Sequence, residues 1–282
     1  MSEAVRRRTG RTPRAVVAWA VAGLVALATG AAVLTAGVAP DTAGVWLLPA
    51  AVVVAWEWWF LTGNVDANHP TDAPDARRDG LGLANGVTLG RGLLYAGVAG
   101  FLLTGSLNGA WAWAPALLYG AGAALDAVDG AIARHVGSQT VLGERLDMGV
   151  DTLGFLVAPL VGVAWGRIPV WYLALSAARY LFKFGRWQRQ RRGLAVYDLP
   201  DSRVRRPLAG LQMAFIAVAL APVLPVAIVE YLAAVVVTPS LLVFARDYLA
   251  VAGHVGGSDG GDEEDNGEDD EAVERVDAAG DD

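Results

Sequence analysis

Eight apolar runs of roughly 17–25 residues recur along this chain, at about 15–38, 44–62, 86–105, 110–134, 147–166, 168–185, 207–223 and 226–250. About 20 residues of helix, rising 1.5 Å each, match the ~30 Å hydrocarbon layer of a bilayer. Inside that layer no water satisfies the backbone, so an apolar run crosses it as a helix. The expected fold class is all-α, a multi-pass integral membrane helical bundle. Composition agrees: 54% of the 282 residues are hydrophobic and only 18% are charged, a balance too apolar for a soluble domain. Ten tryptophans suit an interfacial belt. The chain has no cysteine, which excludes disulfides, thiolate metal sites and cysteine nucleophiles.

Arginine placement sets the expected orientation. The N-terminus carries Arg6, Arg7, Arg8, Arg11 and Arg14; alternate connections carry Arg77 and Arg78, then Arg145, then Arg186 to Arg206. The opposite side carries only Arg167. Eight spans with both termini in the cytosol satisfy this pattern. The basic start could also open an export signal, but the run that follows is too long for one, and an uncleaved span is expected.

The runs fall into blocks. Residues 1–62 read as an N-terminal pair of transmembrane helices without chemistry, in which Glu57, among Trp56, Trp58 and Trp59, reads as an interface anchor. Residues 63–84 are polar, contain Pro70 and Pro74, and read as a cytosolic linker. Residues 85–252 read as a six-span core, with Pro239 expected to kink the last span. Residues 253–282 read as a disordered acidic tail: from Asp259 on, 13 acidic residues face one arginine, so the net charge of −7 hides a basic body.

Within the core, residues 126–151 read DAVDGAIARHVGSQTVLGERLDMGVD, or D-x2-D-G-x2-A-R-x8-G-x3-D-x3-D. Asp126 and Asp129 stand three residues apart, Asp147 and Asp151 four, so each pair shares one helix face. Small residues continue both faces, Gly130 and Ala133 on the first, Gly143 and Gly154 on the second, and leave room for a ligand. A twelve-residue loop, 135–146, would return the second helix against the first. Four hard carboxylate ligands then converge near the cytosolic surface and select Mg2+ or Mn2+ over Zn2+. Two such ions suit phosphoryl or pyrophosphate chemistry. As helix caps or surface charges these eight fixed positions would be a coincidence on the order of one in a billion per start position, from average residue usage. Charge within a membrane segment marks a site by default.

The pattern resembles the signature of the CDP-alcohol phosphatidyltransferases, and every fixed position matches. The resemblance covers about residues 85–252 and implies a six-span membrane enzyme, usually a homodimer. Such an enzyme moves a phosphatidyl or archaetidyl group from a CDP-activated lipid to a small alcohol and releases CMP. It implies that Asp126, Asp129, Asp147 and Asp151 hold a two-metal centre, that Asp151 is also the general base, and that Gly130, Ala133, Arg134 and Gly143 line the CDP site. Asn85, Thr88 and Arg91 resemble the family's N-T-x2-R opening of the first core span; they read as helper residues or, for Asn85 and Thr88, as a helix cap.

Downstream, Arg179, Lys183, Arg203, Arg205, Arg206 and Arg246 sit near the cytosolic ends of later spans. Positive-inside bias is one reading. The other is an acceptor-phosphate pocket of Lys183, Arg203 and Arg246, because SRVRRP at 202–207 is similar to the basic stretch of relatives whose acceptor is phosphorylated. Glycerol phosphate is then the first acceptor, inositol phosphate the second and serine the third. A divalent-cation transporter is the alternative from a different class, opposed by the clustering of the carboxylates at one membrane side. The expected setting is the cell membrane, among its lipids, with the active site facing the cytosol and no nucleic-acid partner.

Overall fold

The computed structural model describes residues 11–76, 78, 80–136, 140–197, 202 and 204–253, with only the backbone described at 11–13 and 127–136. Among these residues the chain is helical with short 3-10 turns. Its long helices are α1 (Arg11–Gly37), α2 (Pro40–Asn64), α3 (Gly82–Gly100), α4 (Ala114–Val136), α5 (Val141–Ala164), α6 (Leu173–Arg191), α7 (Arg205–Leu220) and α8 (Val226–Val251). Each expected apolar run lies on one of them. Four stretches are long and apolar enough to cross a membrane: Arg14–Gly37, Pro40–Ala67, Val141–Ala164 and Val226–Val251. The protein is thus a multi-pass membrane helical bundle. By the same measure the other four helices do not qualify among the described residues: the side chains of α4 are described only as far as Asp126, and Asn85 and Arg91 interrupt the apolar run of α3. α7 has only 16 residues, and α6 carries Arg179, Lys183 and a basic last turn.

Helix α3 is the hub, packed against α2, α4 and α5. Its sequence, GLANGVTLGRGLLYAGVAG, is rich in small residues, which allow close helix approach where apolar burial drives nothing. The Trp46 indole of α2 reaches the Gly97 carbonyl at 3.0 Å. Tyr95, 1% exposed, inserts between α4 and α5, where side chains at Gly122 and Gly154 would come within 2.6 and 2.7 Å of its ring. Gly154 therefore makes room for Tyr95 and not, as its place beside the carboxylates suggested, for a ligand.

Two further expectations are corrected. The turn between α4 and α5 is much shorter than twelve residues, because α4 runs to Val136 and α5 begins at Val141. Thr140 is the N-cap, accepting from the Gly143 amide at 3.0 Å, so polar sequence there is helix beyond the apolar layer. The polar stretch after α2 is tied to the helices: Val141 N–H donates to His69 O at 3.0 Å, and buried Asn68 donates to the Gly80 carbonyl at 2.9 Å. It is strapped across the start of α5, over a small apolar cluster of Leu61, Ala67, Leu89, Leu142 and Leu146. Glu57 is not an interface anchor: it is 1% exposed and lies against Gly92 of α3, where even a methyl group would meet its carboxylate. Pro239 falls inside α8, which continues through it. The 254–282 part of the expected tail lies outside the described residues.

Candidate active site

Asn85, Thr88 and Arg91 recur every three residues along α3, and all are buried. The helix starts at Gly82 with Leu81 as its N-cap and no side-chain capping bond, so Asn85 and Thr88 are interior residues, not a cap. Asn85 faces the start of α5: its amide nitrogen is 3.5 Å from Thr140 Oγ1. A side chain at Gly143 would come within 2.7 Å of Asn85 Oδ1. Gly143 is thus a contact point between α3 and α5.

Arg91 is the centre of the arrangement. Its Nη1 lies 2.9 Å from Asp126 Oδ1 of α4 and 2.8 Å from Asp147 Oδ1 of α5, and its Nη2 lies 2.5 Å from Asp151 Oδ1. The four-residue spacing of Asp147 and Asp151 turns both toward α3, as the sequence implied. The Arg91 side chain is wholly buried, whereas Asp126, Asp147 and Asp151 are 33%, 49% and 28% exposed. The guanidinium therefore closes the cluster from within, and the carboxylates open on the other side. One oxygen from each carboxylate lies within 4.8 Å of the others, a geometry that could hold a metal ion. Asp147 and Asp151 meet Arg91 through Oδ1, and Oδ2 of neither takes part in that contact. The donor set, hard oxygens only, fits Mg2+ or Mn2+. Asp129, Gly130, Ala133 and Arg134 continue along α4, but their side chains lie outside the described residues.

Helix α6 covers the next part of α5. Ser176 Oγ donates to the Phe155 carbonyl at 2.7 Å, and Lys183 Nζ donates to Thr152 Oγ1 at 2.8 Å. Between them the Arg179 guanidinium stacks 4.0 Å from the centroid of the Phe155 ring. Lys183 is thereby beside the residue that follows Asp151. Arg246 is engaged elsewhere: its Nη2 lies 2.8 Å from Asp247 Oδ1, while Arg205 Nε lies 2.7 Å from Oδ2 of the same carboxylate. Arg203 lies outside the described residues, and no bond among those residues joins Lys183 to Arg246. Asp247, 5% exposed, was missed from sequence; the available signal was an acidic residue beside an arginine in an apolar run.

Residues 81–244, more than half of the chain, match the family model described as CDP-alcohol phosphatidyltransferase. No curated protein and no solved structure matches. The chain belongs to the CDP-alcohol phosphatidyltransferase family.

Proposed function

We propose that this family member transfers a phosphatidyl or archaetidyl group from a CDP-lipid to a small phosphorylated alcohol, glycerol phosphate first, and releases CMP. The observation that carries the reading is the convergence of Asp126, Asp147 and Asp151, from two helices, on buried Arg91. An intramembrane carboxylate cluster open on one side suits a bound cation and an anionic substrate together.

In this reading Asp126, Asp129, Asp147 and Asp151 hold two divalent ions, Mg2+ or Mn2+. When bound, those ions offset charge on the pyrophosphate and on the departing CMP. Arg91 fixes the carboxylates by one oxygen each, and Asp151 takes the proton of the acceptor hydroxyl through its other one. The acceptor oxygen attacks the phosphorus bearing the lipid, the pyrophosphate bridge breaks, and CMP leaves. Gly130, Ala133 and Arg134 line the CDP site, with Gly143 at its edge. Lys183, Arg203 and Arg246 receive the acceptor phosphate; the bond from Lys183 to Thr152, next to Asp151, supports placing one of them there. Further proposals are the six-span core with two added spans, a homodimer, and an active site facing the cytosol.

The test is CMP release from CDP-lipid by purified protein, with glycerol phosphate, inositol phosphate and serine offered separately. Release is expected with glycerol phosphate, abolished by EDTA and restored by Mg2+ or Mn2+. Full turnover in metal-free buffer would overturn the two-ion reading, and transfer to serine with glycerol phosphate inert would overturn the acceptor pocket.

A further inference from the structure

Arg179 is a cation held inside the bundle for which the scheme above has no use. It lies six residues into α6, about 9 Å along the helix. Its guanidinium stacks on Phe155 and lies 5.9 Å from the ring of Phe244. Among the described residues no carboxylate is within ion-pair distance of it and no hydrogen bond uses it. Asp151 stands one turn before Phe155 on α5. A stacked ring offsets only part of what a charge costs within a membrane. Five N–H donors in a planar fork are built to take oxyanions. An anionic ligand supplies what the protein does not.

Position along the helices says which anion. Lys183 meets Thr152, and beyond Lys183 the helix continues to Arg186, Arg189 and Arg191. That is the polar end, from which a water-soluble acceptor enters. Arg179 lies one turn further in, beside Phe155 and on the apolar side of Asp151. A CDP-lipid laid against the cluster has its nucleoside toward the polar end and its hydrocarbon inward, so the phosphate that bears the lipid is the inner one. We propose that Arg179 binds the lipid-bearing phosphate of the donor, the one under attack, and that Lys183 alone of this α6 pair faces the acceptor. This rests on the transferase reading and adds to it the residue that grips the transferred group.

The test is binding of CMP, CDP and CDP-lipid, with Mg2+ present, to full-length wild type, Arg179→Lys and Arg179→Met in nanodiscs, alongside both KM values. CMP lacks the second phosphate. In Arg179→Met, CDP and CDP-lipid should bind roughly ten- to hundredfold more weakly, the scale of one charge-assisted hydrogen bond. CMP binding and the acceptor KM should each move less than about twofold, and unchanged CMP binding shows that the fold is intact. Arg179→Lys, which keeps the charge, should recover part of the loss. Equal weakening of CMP, or a rise confined to the acceptor KM, would overturn the proposal. So would an unchanged CDP-lipid affinity. Wild type that binds no cytidine nucleotide would overturn the transferase reading itself and this assignment with it.

Discussion

At the scale of single residues, the site depends on one buried arginine serving three carboxylates. Breaking a buried ion pair destabilises to the extent that the remaining charge stays out of water; Asp126, Asp147 and Asp151 are part exposed, so the cost here is mainly their mutual repulsion. Arg91→Met leaves Asp126, Asp147 and Asp151 to repel one another without their direct counter-charge, so bound cations should matter more to them. Its melting temperature in EDTA should fall well below wild type, and Mg2+ should raise it by more than it raises wild type. Equal increments would mean that Arg91 is not the resident counter-charge. Asp151→Asn tests the chemistry: it should lower kcat about a hundredfold or more, the scale of a lost general base. It should also keep CDP-lipid binding better than Asp129→Asn does. Near-normal turnover would place the base elsewhere. Asp147 and Asp151 were readable because their four-residue spacing alone puts them on one helix face, whereas the side chain of Asp129, paired with Asp126 on the same ground, lies outside the described residues. Glu57 was misread because neighbours in sequence are not neighbours on a helix. Trp58 and Trp59 are exposed while Glu57 turns inward to Gly92.

At the scale of elements, the helices were legible from run length, since a bilayer demands both apolarity and a minimum span. Their ends were not, wherever a helix continues into polar sequence beyond the hydrocarbon. Thr140, a hydroxyl before a first turn containing Glu144, was the signal for the start of α5. Nor could sequence tell which glycines serve ligands and which serve neighbouring helices. Gly122 and Gly154 bracket Tyr95, a rigid ring with no room to move, its centroid 5.5 Å from that of the tilted Tyr119 ring. Gly154→Ala should therefore destabilise the bundle by roughly 1–3 kcal/mol, the usual cost of overpacking. Replacing Tyr95 by Leu in the same chain should recover part of it, because the two changes share one contact. Thermal unfolding of the single and double variants in detergent measures the coupling. Strictly additive losses would show that Gly154 does not serve Tyr95.

At the scale of the whole molecule, the arrangement of charge implies a direction across the membrane. The α6 end near Lys183 is basic through Arg186, Arg189 and Arg191. The connection between α3 and α4, with Asn108 before the 3-10 turn Gly109–Trp113, carries no charged residue. A bilayer with a negative cytosolic face holds the arginine-rich ends inside. The chain lacks cysteine, so single introduced cysteines report sidedness without a background. Asn108→Cys should react with an impermeant maleimide from outside intact cells. Tyr197→Cys, at a position 53% exposed and just beyond α6, should react only after the cytosolic side is opened. The two positions are separated by α4, α5 and α6, so opposite labelling requires an odd number of crossings between them. Three such helices supply it, including α6, whose arginines and lysine keep it from qualifying as a span by composition. Labelling of both from one side would mean that one of these helices turns back or lies along the surface, and the six-span core would have to be redrawn. Labelling of Tyr197→Cys from outside and Asn108→Cys from inside would keep the crossings but invert the protein, turning the basic end of α6 away from the cytosol.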